Sequence, residues 1–343
     1  MRVALDVTPL RGVATGSATG VGRMVAGVVG ALPDAAPDVT VVPWELTRHG
    51  RHLPPALLVR LWARGDHPSG RGIVPEADVV HGSNFVVPPA ARPAVVTVYD
   101  CWCAKQPPSC HPTIAAAVAT VHRSVRRGAW VHVTSEVGAD EVRAIYGAER
   151  VAVVPLAASP VPPGGASPVE GPYVLAIGTT IHRKGFDVLV RAVAAAGLHL
   201  VLAGAEGDAE AAVAAAGRES GARVTRLRTV DDDLRASLLR GAAALAYPSR
   251  DEGFGLPPLE AMSVGVPVVA TRAGALPETV GDAALLVEVD DVGGLAEALV
   301  AATTDAGVRD RLVAAGRARE ATYTWARTAT GLAELWRRAA ATA

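Results

Sequence analysis

Aromatic side chains are scarce: they form 4% of the 343 residues, so the core must be built from Ala, Val and Leu rather than from stacked rings. Lysine is scarcer still, present only as Lys105 and Lys184. The net charge is −1, so no excess of either sign steers the chain toward nucleic acid or membrane. Cysteine occurs three times, an odd number that argues against a disulfide framework. No apolar run approaches the roughly 18 residues that span a bilayer. The start "MRVALDVTPL" enters a strand-like run without the basic, apolar and small-residue succession of a signal peptide. The expectation from these absences is a cytoplasmic chain.

What is present is apolar and periodic, with 50% of residues hydrophobic. Short runs alternate with helical patterns: "VALDV" with "VGRMVAGVVGAL", and "AVVTVYD" with "TIAAAVATVHRSVRRGA". Continuous runs of this kind predict parallel strands buried on both faces. The length exceeds what one ordinary core encloses. The alternation breaks once, at "PLAASPVPPGGASPVEGP" (residues 155–172), and then restarts. The expected fold is α/β, with two Rossmann-like doubly wound domains facing across a cleft. Their expected bounds are 1–158 and 173–325, joined by a linker at 159–172. A last helix within 326–343 would pack on either domain, crossing back to the first in one arrangement.

One stretch carries most of the chemistry. "SRDEGFGLPPLEAMSVG" (residues 249–265) sets Glu252 and Glu260 with seven residues between them. It reads as a loop after the strand "AALAYPS" and a helix with Pro257 and Pro258 in its first turn, where proline is tolerated. Free N–H groups of Gly253, Phe254, Gly255 and Leu256, with the helix dipole, suit an anion. Carboxylates beside a phosphate would repel it, but they are good acceptors for hydroxyls. A ligand with hydroxyls at both ends and a diphosphate between satisfies both demands, and a nucleotide sugar is such a molecule. A helix start stabilised by acidic residues explains either glutamate singly. It does not explain Gly-Phe-Gly and Pro-Pro together.

A second stretch, "YVLAIGTTIHRKGFDVLVRAV", places Arg183 and one of the two lysines, Lys184, at the end of a loop after a strand. A guanidinium and an ammonium there would neutralise a diphosphate leaving group. A solvated loop pair is the plainer account of the same residues.

Together, "GTTIHRKG" and "YPSRDEGFGLPPLEAMSVGVPVVATRAGALPETVGDAALLVEVDD" resemble the donor-binding half of family-four glycosyltransferases, retaining enzymes of GT-B fold that include mannosyltransferase-like bacterial group 1 members. The first half resembles the family more loosely, through "DVTPLRG", "TGVGR", "VVHGSNFVVPP" and "VVTVYD". The resemblance implies that Glu252 contacts hydroxyls of the transferred sugar and Glu260 the ribose. It also implies that Arg183 and Lys184 hold the diphosphate, with the backbone of Gly253 to Gly255 facing sugar and phosphates. In "TGSATGVGRM", Gly16, Gly20 and Gly22 miss the G-x-G-x-x-G spacing; in this context Gly20, Gly22 and Arg23 would face the donor phosphates. The sequence departs from the family at "VTVYD". Many relatives carry histidine before the aspartate, whereas Tyr99 precedes Asp100 here and cannot titrate near neutral pH. Asp100 is the candidate acceptor-facing group.

Three other clusters compete for chemistry. Cys101, Cys103, Cys110 and His111 could ligate zinc, but the C-x-C spacing lacks a second pair, and small buried or loop residues are the better reading. Asp231, Asp232 and Asp233 include a D-x-D pattern, but they precede a helix and read as its cap. Arg123, Arg126 and Arg127 share a helix face that suits solvent or an acidic surface.

The reading is a metal-independent, cofactor-free transfer of a sugar from a GDP- or UDP-linked donor to a hydroxyl of a small-molecule, glycan or lipid-linked acceptor. No nucleic acid is involved, and peripheral membrane contact is compatible. Alternatives are a donor-binding protein that has lost turnover, suggested by Tyr99, or a nucleotide-sugar hydrolase or epimerase on the same fold. A dinucleotide dehydrogenase is disfavoured by the absent G-x-G-x-x-G.

Overall fold

Residues 1–11, 19–46, 54–70, 72–89, 92–110 and 112–342 are described by a computed structural model. They form two units: Met1–Ala157 with Thr324–Ala343, and Ala158–Tyr323. Among the described residues the strands make two parallel six-stranded sheets, an α/β fold.

The first sheet has the order β2-β1-β3-β4-β5-β6. Its strands are β1 (Arg2–Asp6), β2 (Thr40–Trp44), β3 (Val79–Gly82), β4 (Ala94–Thr97), β5 (Trp130–Val133) and β6 (Val151–Val153). All four residues of β3 are buried, the signature of a central parallel strand covered on both faces. Val80, Val96, Val131 and Val133 pack with Val121 and Val142, which come from the helices Pro112–Arg126 and Glu136–Tyr146. The core is thus branched aliphatic, as the scarcity of rings requires.

The second sheet has the order β12-β11-β10-β7-β8-β9. Its strands are β7 (Val174–Ile177), β8 (His199–Ala203), β9 (Arg223–Leu227), β10 (Ala244–Tyr247), β11 (Val268–Thr271) and β12 (Leu285–Val287). The chain runs outward from β7 to β9, then returns to lay β10 against the other side of β7. Loops leaving β7 and β10 therefore diverge, which opens a crevice at the strand ends where open α/β sheets bind ligands.

The closing helix Trp325–Ala341 belongs to the N-terminal unit, against the helix Gly20–Ala35. Thr324 caps it by accepting from the N–H of Arg327, and its apolar stripe includes Leu332, Leu335 and Trp336. Trp336 is fully buried. The Pro/Gly-rich stretch before β7 is not a bare linker. Arg240 donates to the carbonyls of Val161 and Pro162, and Gly165 donates to the Ser237 hydroxyl. These bonds fasten the stretch to the helix Asp232–Gly241 within its own unit.

The cysteines correct one expectation. Cys103 and Cys110 form a disulfide across a sequence separation of seven, and Cys101 is a buried free thiol. An odd count excludes complete pairing but not a single local bridge. Burial pushes the Cys101 thiol well up, so it stays protonated. Disulfides are rare in a reducing cytosol, which sets the bridge against the cytoplasmic expectation. His111, the fourth ligand weighed for zinc, lies outside the described residues.

Candidate active site

The carboxyl ends of β7 and β10 bring the C-terminal unit's candidate residues together. After β7 the chain makes a single 3-10 turn, His182–Lys184. After β10 it runs through Ser249 to Glu252 before the helix Leu256–Ser263 begins. Glu252, 8% exposed, accepts on Oε1 from Lys184 Nζ at 2.5 Å and Ser249 Oγ at 2.9 Å, and pairs there with the Arg183 guanidinium at 3.0 Å. Burial would raise its pKa. The charges of Lys184 and then Arg183, with hydrogen bonds from Lys184 and Ser249, outweigh burial and hold the carboxyl down at about 2. Glu252 is therefore an acceptor at neutral pH and has no proton to give.

Lys184 is fixed from two sides, donating to Tyr247 Oη at 2.7 Å while its Nζ sits 4.6 Å from that ring's centre. Burial, then the Glu252 charge, pushes the Tyr247 hydroxyl well up, so it remains neutral. Arg183 also donates to the Asp251 carbonyl at 2.8 Å. Arg250, which sequence reasoning passed over, clamps the two loops. Its backbone N–H donates to the Arg183 carbonyl at 2.7 Å, and its guanidinium grips both oxygens of Asp187 at 3.1 and 3.0 Å.

Glu260 lies one turn into the helix, 1% exposed, facing Arg235 on the helix Asp232–Gly241. Arg235 Nη1 reaches Oε2 at 2.6 Å and Nη2 reaches Oε1 at 3.3 Å, a two-point pair that is itself 7% exposed at the arginine. Glu252 and Glu260 thus have separate cationic partners, and no spacing signal in the sequence announces Arg235.

The helix start is narrower than its sequence suggests. Gly255 precedes Leu256 with φ of 104°, a left-handed conformation open to glycine, and an added Cβ would lie 2.8 Å from Leu276. Pro257 and Pro258 delete two of the helix's amino-terminal N–H donors, so fewer amides remain for an anion. Phe254 is buried edge-on against Tyr323, with ring centres 5.5 Å apart, and acts in packing. Gly274 lies close against the loop: its Cβ would meet the Glu252 carbonyl oxygen at 2.2 Å, at φ of 49°.

The remaining candidates belong to the N-terminal unit. Thr19 caps the helix Gly20–Ala35 by accepting from the N–H of Gly22 at 3.1 Å, so that amide already has a partner. Gly20 and Arg23 lie in the same first turn, while Gly16 is outside the described residues. Asp100 caps its own loop, accepting from the N–H of Trp102 at 3.1 Å. Tyr99 donates to the Ser83 carbonyl at 2.9 Å, and Ser83 donates to Asp6 at 3.2 Å. Asp6, 6% exposed, has its pKa raised by burial despite the opposing hydrogen bonds of Thr8. Sequence reasoning missed this cluster at the ends of β1 and β3, the reversal point of the first sheet.

Competing clusters resolve plainly. Asp231 accepts from the N–H of Leu234 at 2.8 Å as the N-cap of its helix. Arg123 and Arg127 converge on Asp66, at 3.0 and 2.9 Å. Among the described residues no helix is long and apolar enough to cross a membrane.

A model of the glycosyl transferases group 1 family matches residues 171–305, the part that holds the Glu252 cluster. The O-antigen chain mannosyltransferase B of Escherichia coli is 31% identical over 274 residues, 72% of this chain and 71% of that protein. The chain belongs to the group 1 glycosyltransferases. Two solved structures carry the fold argument for this group 1 enzyme. Sucrose-phosphate synthase from Thermosynechococcus elongatus is 20% identical and aligns over 100% of both chains with a TM-score of 0.73. The Anabaena protein HepE in complex with UDP and glucose is 16% identical, over 97% of this chain and 98% of that one, with a TM-score of 0.68. The fold of this group 1 glycosyltransferase is GT-B.

Proposed function

We propose that the chain is a retaining, metal-independent glycosyltransferase that moves a sugar from a GDP- or UDP-linked donor to an acceptor hydroxyl. The observation that carries this reading is the buried Glu252 cluster with Arg183 and Lys184 at the β7 and β10 ends. Two cations sharing one carboxylate leave the cluster with a net positive charge, suited to a diphosphate. The HepE structure with UDP and glucose supports a nucleotide-sugar donor by likeness of fold.

In this reading the anomeric C–O bond to the diphosphate breaks as the acceptor oxygen bonds the same face of the anomeric carbon. The acceptor proton passes to the departing phosphate oxygen. Negative charge grows on that diphosphate, and Arg183 and Lys184 stabilise it from positions already set by Tyr247, Asp251 and Arg250. Glu252, ionised, accepts from sugar hydroxyls through capacity beyond the three groups gathered on Oε1. Glu260, oriented by Arg235, holds the ribose. The amides of Gly253, Gly255 and Leu256 line the phosphate side; Gly20, Arg23 and Asp100 remain candidates for phosphate and acceptor contacts, whereas the Gly22 amide is committed to Thr19.

The test is nucleoside diphosphate release from GDP- and UDP-hexoses in EDTA, with and without candidate acceptors, and the anomeric configuration of the product by NMR. Acceptor-dependent release with retained configuration is expected. Release that ignores the acceptor would make the chain a hydrolase, inverted product would overturn retention, and loss of activity in EDTA would overturn metal independence.

A further inference from the structure

A second cavity lies away from this chemistry, in the N-terminal unit. It is open to solvent, has a volume of about 340 Å³ and is lined by Arg92, Arg127, Arg150, Ser124, Trp130 and Pro93 among others, with no carboxylate in its wall. Arg92, Trp130 and Arg150 sit at the starts of β4, β5 and β6, the opposite strand ends from Asp6, Tyr99 and Asp100, and Ser124 and Arg127 lie at the close of the helix Pro112–Arg126. Arg92 is anchored by one bond to the Pro75 carbonyl at 2.9 Å, and Arg150 by one to the Gly128 carbonyl at 3.0 Å. Among the described residues neither has a carboxylate partner, so most of their five N–H donors are uncommitted to an anion. Arg127 holds Asp66 and Ser124, and Arg338 lies over the Trp130 ring at 5.0 Å. Complementing the dipole of the helix Pro112–Arg126 accounts for Arg126 and Arg127. It does not account for Arg92 and Arg150, which come from other loops and meet at the same cavity.

We infer that this cavity is a binding site for a phosphate group, distinct from the transfer site. Planar guanidinium forks on carbonyl anchors match phosphate oxygens in pairs. The volume falls within the range of small-molecule sites. The phosphate belongs to an anionic lipid headgroup or to a soluble phosphate ester, and the two are separable by experiment.

The full chain is tested for sedimentation with phosphatidylcholine vesicles, with and without about 30% phosphatidylglycerol, and by calorimetry with glycerol 3-phosphate. Binding to at least one anionic probe is expected, weakening as salt rises. Arg92→Gln/Arg150→Gln should weaken it roughly tenfold or more, at about fivefold per arginine, with transfer to a soluble acceptor unchanged. Asp66→Asn removes the carboxylate that neutralises Arg127 and should tighten binding, a direction that a misfolded chain does not produce. Vesicle binding alone identifies the lipid source, and glycerol 3-phosphate binding alone the soluble one. Failure of both probes on the unaltered chain, or equal binding by the double variant, overturns the site.

Discussion

The indole N–H of Trp336 donates to His81 Nδ1 at 3.0 Å, although 255 residues of sequence separate them. That bond sets the direction of a buried chain of donors. His81 Nε2 then donates to Thr97 Oγ1 at 2.8 Å, Thr97 to His132 Nδ1 at 2.9 Å, and His132 Nε2 to the Val154 carbonyl at 3.0 Å. Every polar atom along it has a partner, and both imidazoles must be neutral. Replacing Trp336 by Phe keeps an aromatic ring but deletes the donor to His81 Nδ1 and part of the buried indole, so a loss of at least about 1–3 kcal/mol is expected in urea unfolding, with the cavity adding to the unpaired nitrogen.

The same chain predicts an acid sensitivity. Burial pushes His81 well below its usual range, and burial takes His132 down to about 4. An unfolded histidine binds its proton near pH 6.5, so between there and about 4 the unfolded state holds more protons than the folded one. Stability should be fully present above about pH 6.5 and fall as pH drops toward 4. His132→Gln should flatten that slope in pH-dependent unfolding, and an unchanged slope would remove His132 as its source.

Glu252→Gln keeps the shape of the cluster but removes the charge that Lys184 and Arg183 share. Turnover should fall on the order of 10²–10³-fold, with nucleoside diphosphate affinity changed far less. Loss of diphosphate binding with turnover intact would contradict the sugar-side role.

Arg235→Met strands a buried carboxylate, and breaking such a pair costs about 3–5 kcal/mol. Arg235→Met/Glu260→Leu should recover much of that stability, because no charge is left unpaired. It should not recover donor KM, since no acceptor remains for a ribose hydroxyl. Recovery of both in kinetics and thermal unfolding would make the pair purely structural.

Under denaturing, non-reducing conditions thiol titration should find one free cysteine, Cys101, and three after reduction. Three before reduction would show that Cys103 and Cys110 are not bridged in the purified chain.

The alternating architecture is legible because parallel strands covered on both faces must be continuous apolar runs, as in "VVHG" and "VVAT". Glu252, Arg183 and Lys184 are legible because their loops follow strands and one of only two lysines stands among them. Arg235 is not, since its partner is 25 residues away on another helix and any arginine on an amphipathic helix reads as solvated. Arg250 is hidden for the same reason, masked by the acidic pair beside it. The donor chain from Trp336 leaves no local pattern at all: each member reads as an ordinary core residue until the fold joins them. Gly22 shows the converse, a glycine in a suggestive turn whose amide serves a threonine cap.

The helix Trp325–Ala341 completes the unit that begins at Met1, yet the ribosome makes it after the whole of Ala158–Tyr323. At roughly 5–20 residues per second, His81 and the surface that receives Trp336 wait on the order of ten seconds or longer for their partner. During that interval the strands of the first sheet are made but the helix Gly20–Ala35 lacks its packing partner, while the second unit, whose last strand is Leu285–Val287, is complete before Trp336 is added. The order of synthesis therefore lets the C-terminal unit gather all its residues before the N-terminal unit does, although the N-terminal unit begins first.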